Sequence, residues 1–397
     1  MGERKGVVKI YDTSGKIMDL KGAKKYSQDM ARLCYAGKSI EDIREEPFNS
    51  NLTDKGLIKS GHHSPFDHFS ITYIFEGFSK AFAMTLNNER PYTTSEKSAR
   101  YTQMSEIGEH QRELYFKWFE IFNQQIENHY PKNEFSRLYK PRRKGDKTPA
   151  EKLAQENARY MTSVFTPTHF SHTISLRQMN VLAGFFEDFI EENKDSPDLF
   201  KKRLSENYQT FLDAPEIQRF RIKDIRAKAD FKLSLFEEPV EEHFGRSQYS
   251  VNQEMSFACL AQTHRHRTLE NHINVSPELN LPLGVFVPPI LRENNKLVLE
   301  WINDMESVAK YDFPQGQLIG VSELGSSKHL FMKSRERMCG HAQLEITRKT
   351  AELIDKYSKY VPEVASWKLP ECHKKHKGEC DRGGCNLGSE LYLKRLI

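Results

Sequence analysis

The feature that most constrains this chain is an order of elements that occurs twice within its 397 residues. Residues 69–76 (FSITYIFE) are rich in β-branched and aromatic side chains, as a strand is. Residues from Ser79 to Asn88 follow a helical pattern, as do 107–129 and 148–163. THFSHTISL, ending at Leu176, alternates like a second strand, and RQMNVLAGFFEDFIEEN, from Arg177, reads as an amphipathic helix. Around 225–240 the pattern restarts. Residues 250–264 (SVNQEMSFACLAQTH) resemble the approach to Arg90, 296–309 are helical, and 316–322 (GQLIGVS) read as a strand. A long helical pattern then begins at Lys328, with a break at Gly340. Two tandem units of α/β (α+β) class are expected, at 1–225 and 226–397, each a mixed β-sheet with long helices. At roughly 100–200 residues per domain, the length suits two.

Bulk charge excludes little and suggests less. Lys and Arg total 59 against 55 Asp and Glu, a net charge of +4, too mild to argue for nucleic-acid binding. No apolar run reaches the roughly 20 residues that span a bilayer. MGERKGVVKIYD at the N-terminus has no apolar signal core, so a cytoplasmic protein with reduced thiols is expected.

Four clusters carry chemistry. Glu96, Ser98, Ala99 and Arg100 combine a hydroxyl, backbone N–H groups and a guanidinium at a spacing that cradles a phosphate, although an arginine paired with Glu96 is the simpler local account. Arg265, His266 and Arg267 crowd basic groups at the end of an apolar helix. Cations this close repel unless an anion lies between them, or unless they simply solvate the helix terminus. GHHSPFDH at 61–68 offers three histidines, but its spacing is not that of a zinc helix, and a loop on the substrate side fits better. Cys372, His373, His376, Cys380 and Cys385 suit one structural zinc, with a lysine-rich tail of reduced thiols as the alternative.

Together these motifs resemble the flavin-dependent thymidylate synthases. That family carries R-H-R-x(2)-S-x-N-x(2)-S-x-R-Y, preceded by G-H-x-[ST]-x-x-[ED]-H. An A-R, an N-x-R and an R-x(4)-A-Q-x-E-I follow. Here the first half keeps GHHSPFDH, Ser98-Ala99-Arg100-Tyr101, Ala158-Arg159 and Ser175-Leu176-Arg177. Asn88-Glu89-Arg90 stands in place of R-H-R, and Phe185, Phe186 and Glu187 lie where the late arginine is absent. The second half keeps Gln262, Arg265-His266-Arg267, Arg337 and Ala342-Gln343-Leu344-Glu345-Ile346. It has Val275-Ser276-Pro277 in place of S-x-R-Y and Lys328 in place of the N-x-R arginine. Losses sorted this way suggest a duplicated gene in which one of two equivalent sites was kept.

The resemblance implies FAD reduced by NADPH, methylenetetrahydrofolate as carbon donor, and dUMP as substrate. It implies dUMP contacts from Glu96, Ser98, Ala99, Arg100, Arg159, Gln262, Arg265 and Arg337, with Arg337 catalytic. Cofactor contacts are implied for His62, Ser64, Glu96, Ser175, Arg177, Arg265, His266 and Arg267. The family's tetramer becomes a homodimer of double-length chains, with no nucleic-acid or membrane partner. Another one-carbon transfer to a pyrimidine nucleotide, such as hydroxymethylation, or a non-catalytic nucleotide- or flavin-binding role, are the alternatives.

Overall fold

A computed structural model describes residues 6–98, 107–141, 143–226, 232–369 and 395–397. Two four-stranded sheets organise it. The first has order β1-β2-β4-β3, with β1 Val7–Thr13, β2 Ser70–Ser79, β3 Thr93–Glu96 and β4 Pro167–Ser175. The second has order β5-β6-β8-β7, with β5 His243–Phe244, β6 Gln248–Ser256, β7 Glu270–Ile273 and β8 Leu318–Ser326. The topology is therefore the same in both. The α/β class with two sheet-and-helix units stands, but each sheet, expected mixed, pairs antiparallel throughout. Every neighbouring pair here runs in opposite senses, so no crossover of the βαβ type joins sheet neighbours.

The repeat extends to register. Thr93 pairs with Thr173 and Glu96 with Phe170. Glu270 pairs with Leu324 and Ile273 with Val321. Each pair lies at the same distance before the serine that ends the fourth strand. That serine, Ser175 or Ser326, caps the next helix by accepting from the backbone N–H three residues on. Ser79 and Ser256 likewise cap the seven-residue helices Lys80–Leu86 and Phe257–Thr263. β2 is one residue longer than β6 because its register shifts between Glu76 and Phe78. Gly77 lies in that bulge at φ 77°, where a side chain is disfavoured.

The compact units do not follow the sequence halves. One unit holds residues 1–97 and 167–234; the other holds 98–166 and 235–397. The chain thus leaves the first sheet after β3 and returns at β4. In the first unit the core is aromatic. Phe75 stacks on Phe170 at 4.7 Å, and Phe186 on Tyr208 at 4.1 Å, with Phe78, Phe82 and Phe211 packed around them. In the second unit the helices Glu109–His129 and Pro149–Ala158 share one core with Asn295–Ala309. Trp118 meets Trp301 edge-on at 4.7 Å, and its indole N–H donates to Asp304 at 2.8 Å. The helical pattern expected over 148–163 ends at Ala158 and tightens into a 3-10 turn, Arg159–Met161. The pattern from Lys328 is split as expected, into Ser327–Arg337 and Leu344–Ser358 with Gly340 between. Among the described residues no helix is long and apolar enough to cross a membrane.

Candidate functional site

Five of the motif residues converge in the second unit through hydrogen bonds. The helix Pro149–Ala158 is held at its start by a reciprocal cap between Thr148 and Glu151. It delivers Arg159 to the buried interior, where one guanidinium nitrogen, Nη2, donates to Gln343 Oε1 at 2.5 Å. Gln262, on the helix capped by Ser256, donates its Nε2 to the same oxygen. Arg337 ends the helix Ser327–Arg337. Its Nε donates to His266 Nε2 at 2.7 Å and its Nη2 to the Gln262 carbonyl at 3.1 Å. Thr347 Oγ1 fixes the Arg337 carbonyl from the next helix at 2.9 Å.

His266 lies buried between two exposed arginines, Arg265 and Arg267. Burial, with Arg337 and Lys333 nearby, pushes its imidazole pKa well below the usual 6.5. Accepting from Arg337 through Nε2 requires the neutral ring. The unfolded chain binds a proton at His266 more readily than the native one, so stability from this residue is complete above pH 6.5 and falls as pH drops below it. Between about pH 8 and pH 5, wild type should lose about 1–2 kcal/mol more than His266→Gln, whose amide cannot take the proton. Parallel curves of unfolding free energy against pH for the two proteins would contradict this.

A second network supports the first. Gln343 Nε2 donates to Tyr160 at 2.6 Å, and the Tyr160 hydroxyl donates to Glu345 at 2.8 Å. Glu345 also accepts from the Ser256 hydroxyl at 2.5 Å and the Ser256 N–H at 2.8 Å. Burial raises the pKa of Glu345, while these donors pull it back. Tyr160, Glu345 and Ser256 were not among the expected contacts. The signal for Glu345 was present in Ala342-Gln343-Leu344-Glu345-Ile346; Tyr160 carried none beyond following Arg159.

The other expected residues lie elsewhere. His62 is half-buried, its ring edge-on to Tyr35 at 6.2 Å, and Ser64 is exposed. Asp67 accepts from Ser175 Oγ at 2.8 Å and from Arg177 at 2.9 Å. Glu96 accepts from Lys80 at 2.6 Å and Thr168 at 3.3 Å. All of these belong to the first unit. Ser98 is half-buried. Ala99, Arg100 and the cluster Cys372, His373, His376, Cys380 and Cys385 fall outside the described residues. Among the described residues, only Glu237, Glu270 and His272 bring three metal-ligating groups together, within 4.8 Å. Cys259 is fully buried, and burial holds its thiol well above the usual pKa, which removes it as a nucleophile.

Counting from the capping serines shows what each repeat kept. Ten residues after Ser79 stands Glu89, and ten after Ser256 stands His266. Glu89 is buried and accepts from the N–H and hydroxyl of Ser234 at 2.5 and 2.8 Å. Eleven residues after Ser175 stands Phe186, and eleven after Ser326 stands Arg337. The first unit therefore fills with an aromatic core the position where the second places a guanidinium.

Residues 16–186 match the family described as thymidylate synthase complementing protein. The flavin-dependent thymidylate synthase of Geobacter sulfurreducens is 39% identical over 74 residues, which span 18% of this chain and 32% of that one. That of Clostridium tetani is 33% identical over 81 residues, 19% of this chain and 32% of that one. The chain is therefore similar, over part of its length, to the flavin-dependent thymidylate synthases. It spans about a third of the length of the curated relatives it matches. The family match ends at residue 186, so the Arg337 and His266 cluster lies beyond it. Among solved structures, thymidylate synthase X of Helicobacter pylori with FAD and dUMP is 16% identical, covering 52% of this chain and 99% of that one at a TM-score of 0.27. The UMP/dUMP methylase PolB of Streptomyces cacaoi is 19% identical, covering 45% and 77%, at 0.29.

Proposed function

We propose that this chain methylates dUMP to dTMP with FAD, NADPH and methylenetetrahydrofolate, at a site assembled from both sequence repeats. The observation that carries the reading is the meeting of Arg159 with Gln262 through Gln343, beside Arg337. Arg159 comes from the first repeat and the others from the second, and the family uses this set on its nucleotide. The reading is further supported by Phe186, which leaves the first repeat without the late arginine. The four strands of each sheet share one order, as a duplicated gene predicts.

In this reading Arg159, with Arg100 and Ser98, binds the nucleotide phosphate, since guanidinium forks suit its geometry. Arg337 faces the pyrimidine and stabilises the negative charge that develops there. Neutral His266 accepts from Arg337 Nε and so fixes the orientation of the guanidinium. Two exposed cations, Arg265 and Arg267, suit the diphosphate of FAD. When bound, FAD supplies the hydride taken from NADPH. The cysteine cluster near the C-terminus holds a structural zinc, and the molecule is a homodimer. Arg159 and Arg337 share one compact unit, so we assign each nucleotide site to a single chain.

The test is absorbance, then complementation. Purified protein should show flavin absorbance and form dTMP from dUMP. Arg100→Ala and Arg337→Ala proteins, purified apart and mixed, should remain inactive together. Recovered activity would instead assign the two parts of each site to different chains. A colourless protein, or one whose product is a hydroxymethyl nucleotide, overturns the methylation reading.

A further inference from the structure

We infer that Tyr160 and Glu345 are positioning residues that set the orientation of the Gln343 amide, and through it the two nucleotide-facing groups Arg159 and Gln262. The inference rests on the nucleotide reading above. Its basis is donor and acceptor polarity. A guanidinium only donates, so Gln343 must turn its oxygen toward Arg159. Its NH2 then faces Tyr160, whose oxygen accepts at 2.6 Å. The Tyr160 proton is thereby directed to Glu345, 2.8 Å away. Glu345 is fixed in turn by the N–H and hydroxyl of Ser256. That serine also caps the helix bearing Gln262.

The same logic reaches the ligand side. Gln343 Oε1 is committed as acceptor, so Gln262 must present its Nε2 to it. The opposite atom, Gln262 Oε1, is buried and has no hydrogen-bond partner among the described residues. A buried acceptor left open is costly unless a ligand or a water supplies the donor. Reversing the Gln343 amide would place NH2 against both Arg159 and Gln262 Nε2, a clash of donors at two points. Tyr160 and Glu345 hold the amide against that reversal. The backbone keeps Tyr160 in place independently: its carbonyl accepts from Gly316 N–H at 2.9 Å. A Cβ at Gly316 would lie 3.0 Å from Tyr160 Cβ and 2.7 Å from Met305 Cε, so any larger residue there would have to displace both neighbours slightly.

Tyr160→Phe removes one hydroxyl and keeps the ring. The KM for dUMP should rise about tenfold, with kcat within about twofold of wild type. Tyr208→Phe, a buried hydroxyl bonded to Thr85 in the first unit, is the control and should leave both constants unchanged. An unchanged KM in Tyr160→Phe, or a kcat that falls along with the rising KM, overturns the positioning role alone. Wild-type protein that fails to bind dUMP overturns the nucleotide reading and this inference with it.

Discussion

Arg337→Ala is expected to lower kcat/KM for dUMP by about 100- to 1,000-fold, the range seen when a single preorganised donor to developing charge is removed. The guanidinium is buried and aimed by two partners, His266 and the Gln262 carbonyl, while its own carbonyl is held by Thr347. Such a group reorganises little as charge grows on the substrate, and burial keeps water from screening it. Arg337→Lys should fail nearly as badly, because an ammonium offers no planar fork to engage Nε and Nη2 partners together. Steady-state kinetics with purified variants decide the matter. A loss below about tenfold in Arg337→Ala would remove this residue from the chemistry.

At the matching position of the first repeat the expected effect is on stability. Phe186→Ala should cost about 3–5 kcal/mol, the range for truncating a buried phenylalanine. Phe186 is fully buried, stacks on Tyr208 at 4.1 Å and meets Phe82 and Phe211 at 5.8 and 5.2 Å. Little in that cluster can collapse into the space left, because its rings already pack on one another. Denaturant unfolding of the first unit measures the loss, and dUMP affinity under native conditions should stay as in wild type. A destabilisation under about 1 kcal/mol would mean the aromatic core tolerates the cavity. Lost dUMP affinity in protein that remains folded would mean the first repeat still contributes at this position. The two substitutions thus separate what duplication left behind: one repeat spent the position on packing and the other on charge.

Much of the organisation was legible from the chain. The long helices and the central strands β2, β4 and β8 follow from apolar periodicity, because each buries one face against a core. The edge strands β1, β3, β5 and β7 were missed. β3 and β7 have four residues each and β5 two, and TTSE and ENHI are too polar and too short for alternation to show. The late helix Leu199–Asp213, which supplies Tyr208 and Phe211 to the first core, was not separated from its surroundings either.

For the site, sequence alone marked the motif residues but not Tyr160 or Ser256. Gln262, Arg265-His266-Arg267, Arg337 and Gln343 stand in motifs whose order and spacing are covalent facts, as is the run Phe185, Phe186 and Glu187 where the late arginine is absent. Tertiary structure decided who touches whom. Arg159 lies 184 residues before Gln343, and no local pattern encodes a bond between them. That bond exists because residues 98–166 leave the first sheet and pack their helices on Trp301 and Met305 of the second unit. The polarity of the Gln343 amide was likewise undetermined until Arg159 on one side and Tyr160 on the other fixed it. Sequence specifies donors and acceptors; only packing, which removes water as an alternative partner, obliges each to face a particular other.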